Sequence, residues 1–78
     1  MKYLKQKTNT IHRALHNNIA VAIFGLLSDL AEKGVIIPDN NKPLADKWVM
    51  LEYDGEQIIT NEFDTIGACK IYLECKYQ

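Results

Sequence analysis

Two histidines four residues apart are the first residues in this sequence whose types and spacing could do chemistry. His12 and His16 lie in the segment HRALH, and side chains four positions apart share one face of a helix. Two neutral imidazoles at that spacing can bind zinc when at least one further ligand is present. The zinc-protease pattern requires a glutamate directly after the first histidine, where this chain has Arg13. We therefore expect surface or interface histidines and no metal site.

Carboxylates are the second group that could do chemistry. Paired carboxylates can share acid and base roles when burial separates their pKa values, but acidic side chains near a hairpin tip are normally solvated. The four glycines form neither a phosphate-binding loop nor a nucleophile elbow, and Ser28 is the single serine. We expect no catalytic residue, no cofactor-binding residue and no enzyme. The acidic residues in question are Glu52, Asp54, Glu56, Glu62 and Asp64.

The two cysteines indicate the compartment. Cys69 and Cys75 are six residues apart in a predicted helix, which places them about 120° apart around its axis. That angle disfavours a disulfide between them, and no further cysteine is present to complete a thiolate metal site. Free thiols are typical of a reducing compartment, so we expect a cytoplasmic protein.

Residues 1–33 predict a basic arm followed by a long helix. Residues 1–9 form the arm, either as a short edge strand or as a loose terminus. Apolar residues then recur at helical spacing over 10–33, and Gly34 stands where a left-handed helix cap belongs. Val21 and Phe24 lie outside the apolar stripe of this helix, so we expect a second element to cover them.

Residues 47–63 predict a β-hairpin, because β-forming residues flank Asp54-Gly55, a strong two-residue turn signal. If Tyr53 pairs with Glu56, both faces of the hairpin are apolar, and an isolated hairpin of that kind needs cover above and below. One face would show Trp48, Met50, Ile59 and Phe63, and the other Val49, Leu51, Tyr53 and Ile58.

A second helix is predicted over 64–77, with Asp64 as its N-cap. The 78 residues leave room for one domain. The sequence therefore predicts a single α+β domain over 1–78, built as helix, β-hairpin and helix (αββα), with a two- or three-stranded antiparallel sheet.

Charge is unevenly distributed along the chain. Residues 1–28 hold four cations and no acid, giving +4, and the remaining five lysines and ten acids give −5. Phosphate-neutralising cations beside one stacking aromatic form a candidate nucleic-acid surface: Lys2, Tyr3, Lys5, Lys7 and Arg13. A net charge of −1 argues against a dedicated nucleic-acid binder. The longest apolar run, 19–27, falls short of the ~20 residues that span a bilayer, so we expect no membrane partner.

The segment WVMLEYDGEQIITNEFDTIGACKIYLE, residues 48–74, resembles small accessory proteins of phages and prophages, including host-factor inhibitors such as anti-CRISPR proteins. The likeness lies in its brevity and in the hairpin followed by a capped helix. It implies a protein-binding role and assigns no site residue.

These observations favour a small non-catalytic protein-binding module that occupies a surface of a larger protein. The apolar surplus also predicts a homodimer, because large exposed apolar patches are uncommon on soluble monomers. No cofactor is expected. The candidate partner-binding residues are Val21, Phe24, Trp48 and Tyr53. The alternative is a small nucleic-acid-associated protein that uses its basic N-terminal arm.

Overall fold

The computed structural model describes residues 1–37 and 47–78, which form a five-stranded antiparallel sheet with two helices. The strands lie in the sheet in their order along the chain. The predicted helix–hairpin–helix with a two- or three-stranded sheet is therefore wrong, although the fold is α+β. The elements are β1 (Lys2–Lys5), β2 (His12–His16), β3 (Ile19–Leu26), α1 (Leu27–Glu32), β4 (Trp48–Asp54), β5 (Gln57–Phe63) and α2 (Ile66–Lys76).

The predicted helix over 10–33 is replaced by β2, β3 and the six-residue α1. The chain reverses at Asn17 and Asn18, whose φ angles are 53° and 64°. Two consecutive positive φ values are those of a type I′ hairpin turn, and asparagine adopts them more readily than most residues. A right-handed helix cannot continue through such a pair, so the apolar residues on either side pair as strands.

Burial along β2 and β3 follows the two-residue period of a sheet. Ala14, Ala22 and Phe24 are fully buried, whereas Arg13 is exposed and Ile23 half-buried. The pairing of β2 with β3 shifts between Ala14 and Leu15, which indicates a β-bulge. Residues of the predicted helical stripe are consequently divided between the two faces of the sheet.

The hairpin of β4 and β5 is confirmed, with a different register. Asp54 pairs with Gln57, so Gly55 and Glu56 form the turn, and φ of Gly55 is 63°. Tyr53 pairs with Ile58 and not with Glu56 as predicted. Because the partner moves by two residues, and faces alternate with a period of two, every hairpin residue keeps its predicted face.

The second predicted helix is present as α2. Thr65, and not the predicted Asp64, is its N-cap, and the Thr65 hydroxyl accepts a hydrogen bond from the backbone N–H of Ala68 at 3.1 Å. Part of the basic arm, Lys2–Lys5, forms the edge strand β1 against β2.

Helix α2 packs on one face of the sheet, and we call this face the helix face. Its core consists of Ala14, Ala22, Phe24, Met50, Cys69 and Leu73. We call the opposite face the open face. One end of the open face is covered by α1, where Leu30 packs against Ile11 and Val49. Gly25 lies beneath this contact, where an added Cβ would stand only 3.1 Å from the Ile11 Cα.

Candidate functional site

Strand register determines which side chains reach the open face. Residues that pair across strands share a face, and successive residues alternate. Tyr3 pairs with Ala14 on the helix face, so the next row belongs to the open face. That row runs through Leu4, Arg13, Ile23, Leu51 and Thr60. The pair Tyr53 and Ile58 lies two residues further along β4 and β5, on the same face.

Five apolar side chains of the open face form what we call the open patch: Leu4, Ile23, Leu51, Tyr53 and Ile58. Leu4 is 47%, Tyr53 49% and Ile58 60% exposed, and the other two are half-buried. Ile23 and Leu51 pair directly, as do Tyr53 and Ile58, so four of the five are neighbours. Arg13 lies between Leu4 and Ile23 in the row. A contiguous exposed apolar patch on a small protein is typical of an interaction surface.

Charged side chains of opposite sign stand towards the two edges of the open face. Lys2 and Arg13, both exposed, stand on β1 and β2 at one side. Glu62 on β5 and Glu56 in the turn before it, also exposed, stand at the other side. The uneven charge along the sequence thus becomes a basic edge and an acidic edge of one sheet.

A shallow depression of about 170 Å³ lies at the basic side of the open face. Its lining combines apolar side chains with two cationic ones: Leu4, Lys5, Gln6, Ile11, Arg13 and Ile23. The depression has room for one side chain of a partner and is too small for a typical cofactor.

A buried polar cluster holds the end of α2 against the sheet. Glu52 on β4 is fully buried, and its carboxylate accepts hydrogen bonds from the Tyr72 hydroxyl at 2.7 Å and the Tyr77 hydroxyl at 3.0 Å. Lys76 completes the cluster with an ion pair at 2.5 Å. Burial raises the pKa of Glu52, but hydrogen bonds from Lys76, Tyr72 and Tyr77 outweigh it and hold that pKa below 4.5.

The Glu52 cluster is suited to fastening α2 and not to acid–base chemistry. A general acid or base must come within hydrogen-bond reach of its substrate, and the Glu52 side chain has no exposed surface. Both of its oxygens already accept hydrogen bonds from α2 or from the residue that follows it. The other carboxylates considered in the sequence, such as Asp54 and Glu56, are exposed around the hairpin.

His12 is buried in the core beside aromatic rings. Its ring stacks on Phe24 with a centroid distance of 4.9 Å, and Trp48 lies 6.2 Å away. The His12 Nδ1 lies 2.7 Å from the carbonyl oxygen of Thr10. Because that oxygen only accepts, we assign the proton to Nδ1. Burial lowers the pKa of His12, which favours the neutral ring.

The two histidines do not form a shared site. Four residues of extended strand separate them by about 13 Å, too far for one metal ion to bind both rings. His16 instead lies against Tyr77, with a centroid distance of 5.4 Å. Within 1–37 and 47–78, no three His, Cys, Asp or Glu side chains are grouped to hold a metal.

The four predicted partner-binding residues separate in the structure. Phe24 is fully buried, and Val21 and Trp48 pack half-buried against the same core. Tyr53 alone lies in the open patch. Sequence reasoning did not assign Leu4 or Ile58 to an interaction surface. The available signal was the asparagine pair at 17 and 18, which turns the helical pattern into strands.

The predicted nucleic-acid residues gather at the basic edge, with one change of role. Lys2, Lys5, Lys7 and Arg13 are exposed on or beside β1 and β2. The Tyr3 ring, in contrast, packs edge-on against Phe24 at 5.9 Å and lies under the ammonium of Lys70 at 5.0 Å. Burial and the neighbouring Glu74 raise the pKa of Tyr3 to about 12. Because this ring already packs against Phe24 and Lys70, it is poorly placed to stack on a nucleic-acid base.

Comparison with protein-family models, with curated proteins and with solved structures finds no match for this chain. Neither helix in the described part of the chain combines the length and apolar character needed to cross a membrane.

Proposed function

We propose that this chain is a small non-catalytic protein-binding module that uses the open patch to cover a surface of another protein. The observation that carries the proposal is the exposure of Leu4, Tyr53 and Ile58 on one sheet face. Apolar side chains without cover are stabilised by removal from water, at about 25 cal/mol per Å². The resemblance of residues 48–74 to phage and prophage accessory proteins supports the same kind of role, including that of an inhibitor.

A cytoplasmic setting belongs to this proposal. Both cysteines are free, with Cys69 buried and Cys75 exposed. An exposed free thiol is best maintained in a reducing compartment.

Site-specific photo-crosslinking in the native cell tests the proposed function. A photoreactive phenylalanine derivative replaces Ile58 in one variant and Ile71 in another. Both isoleucines are similarly exposed, at 60% and 64%, but Ile71 lies on α2 and outside the open patch. We expect a protein crosslink from position 58 that Tyr53→Lys abolishes, and none from position 71. Equal crosslinking from both positions, or none from 58, would refute the proposal.

A second candidate function is a nucleic-acid-associated protein, and the gathering of four cations at the basic edge favours it. Phosphate contacts by these residues would make binding fall steeply with salt. Retention on immobilised DNA that falls with salt, and that Lys5→Glu weakens, would support this function. A crosslink to nucleic acid from a photoreactive side chain at position 4, on β1, would decide in its favour.

A further inference from the structure

We propose that the free edge of β5 binds an extended, basic segment of another protein, which pairs antiparallel to β5 as a sixth strand of the sheet. This inference rests on the proposed function, because it names the kind of partner that reaches the open patch. The backbone groups along the β5 edge can accept a strand, and the charges beside them favour a basic one.

The register of the β4–β5 hairpin determines which backbone groups of β5 are free. Asp54 and Gln57 close a two-residue turn, so they form a hydrogen-bonded pair, and such pairs alternate with non-bonded ones along the hairpin. Ile58, Thr60 and Glu62 occupy non-bonded positions, so their N–H and C=O groups point away from β4. Among the residues that the structure describes, no strand pairs with this side of β5. Each of the three residues therefore offers a donor and an acceptor to a partner strand.

The two edges of the sheet differ in their protection against strand addition. Native proteins protect exposed edges with short strands, lysine, proline or bulges. β1 is four residues long and has lysine at both ends. β5 is seven residues long, contains neither proline nor lysine, and pairs with β4 without a register shift. β5 is therefore the edge that can accept a strand, in the manner of peptides that extend the sheet of a binding domain.

Side chains along this edge define the chemistry of the incoming strand. Ile58, Thr60 and Glu62 are all exposed and lie on the open face. An antiparallel strand would place an apolar side chain opposite Ile58 and a cation opposite Glu62, and both kinds of cross-strand pair are stabilising. Glu56, exposed in the turn, favours a second cation two residues beyond the apolar side chain. The segment therefore carries cations on both sides of an apolar centre.

A second copy of this chain fits the edge less well. Two β5 strands paired antiparallel about Thr60 would place Ile58 opposite Glu62, and Glu56 opposite Asp64, of the other copy. The first pair lacks an apolar contact, and the second brings like charges together, which is destabilising. We therefore assign the edge to a different protein.

A pair of synthetic peptides tests the strand and its charge on the purified chain. One peptide is Lys-Val-Thr-Val-Ile-Thr-Lys, and the control has glutamate in place of both lysines. At up to about 5 millimolar, the lysine peptide should slow amide hydrogen exchange at Ile58, Thr60 and Glu62, measured by NMR. The amides of Ile59 and Asn61 already bond to β4 and should change little.

We expect the lysine peptide to bind at least about fivefold more tightly than the glutamate peptide. Glu62→Lys should reduce that difference, because it removes one of the two acids that the lysines face. Equal binding of the two peptides to the unaltered chain, or no slowing of exchange at the three outward amides, would overturn the inference.

Removal of one outward N–H tests the same edge in the native cell. Thr60→Pro deletes that donor and leaves the hydrogen bonds to β4 in place, because proline is tolerated where the N–H of an edge strand faces solvent. Thr60→Val keeps the N–H and the β-branched shape, and it is the matched control. We expect Thr60→Pro, and not Thr60→Val, to reduce the protein crosslink from position 58 at least about fivefold.

Glu62→Lys, at an exposed position, should reduce the crosslink in the same way and guards against misfolding of the proline variant. A crosslink that persists in both Thr60→Pro and Glu62→Lys would overturn the inference and leave the proposed function standing. A crosslink from position 58 to a second copy of this chain would also overturn it. Absence of any crosslink from position 58 in the otherwise unaltered chain would refute the proposed function itself.

Discussion

The helix face of the sheet is closed by α2, whereas much of the open face stays in contact with solvent. On the helix face, Cys69 and Leu73 pack against Phe24 and Met50, and all four are fully buried. The open face carries residues of the same apolar kind, yet Ile58 remains 60% exposed. Apolar residues on a strand therefore do not identify the core, because the core is the face that another element covers.

The two faces also differ in the burial and pairing of their charged side chains. The helix face contains a buried carboxylate, Glu52, whose oxygens receive hydrogen bonds from Tyr72 and Tyr77 and an ion pair from Lys76. On the open face the charged side chains, such as Arg13 and Glu62, stand exposed to solvent. A paired buried charge specifies where α2 docks, whereas charges at the exposed surface remain accessible to a partner.

The largest difference between the faces should appear on truncating an aromatic ring in each. Phe24→Ala removes a fully buried ring that contacts Tyr3 and His12. We expect the free energy of unfolding to fall by about 3 to 5 kcal/mol, measured by urea denaturation. Tyr53→Ala, at 49% exposure, should cost less than about 1 kcal/mol. Equal losses would mean that the open face is as closed as the helix face.

The Glu52 cluster should contribute the next largest effect. Lys76→Met removes the ion-pair partner of a buried carboxylate, but the Lys76 side chain is 42% exposed and partly screened by solvent. We expect a measurable loss of stability at neutral pH, by urea denaturation, because the buried carboxylate loses one of its partners. Glu52→Leu combined with Lys76→Met leaves no buried charge and should recover part of that loss. A double variant less stable than Lys76→Met would contradict this account.

His12 should make the stability of the folded protein depend on pH. Burial holds its folded-state pKa below 6.5, so the unfolded chain takes up the proton first. Stability is therefore complete above pH 6.5 and declines as the pH falls below that value. His12→Phe keeps an aromatic ring against Phe24 and should flatten this decline in thermal melts between pH 5 and 7. His16→Gln should preserve the decline in stability. An unchanged decline in His12→Phe would show that a group other than His12 causes it.

The smallest expected change in stability comes from the open patch itself. Ile58→Lys places a charge where the side chain is already largely exposed, so unfolding should change by no more than about 0.5 kcal/mol. The same holds for Ile71→Lys on α2. A large loss of unfolding free energy in Ile58→Lys, measured in dilute solution, would show that the residue is structural in the monomer.

The hairpin of β4 and β5 and the helix α2 could be predicted because their signals are local. The Asp54-Gly55 turn signal and a capping side chain before α2 act within a few residues of chain. Their details depended on packing: the turn moved to Gly55 and Glu56, and the cap moved to Thr65. Each hairpin residue nevertheless lies on its predicted face, because the register moved by an even number of residues.

The segment over 10–33 could not be assigned from apolar spacing alone. Ala20, Ala22 and their apolar neighbours satisfy a helical and an extended pattern equally well, and alanine favours the helix. Asn17 and Asn18 were the contrary signal, since both can adopt positive φ. Strand formation by β3 also requires β4, which lies more than twenty residues away in the chain. Such long-range pairing is not contained in any local window of residues.

The sequence by itself determined the hairpin, the second helix, the free cysteines and the separation of charge between the two ends of the chain. Only the tertiary structure decided that residues 12–16 and 19–26 are strands, that Phe24 and Glu52 are buried, and that Tyr53 and Ile58 are exposed. The physical reason is that turns and caps are local free-energy terms. Burial, in contrast, depends on which of two apolar faces the distant helix α2 covers.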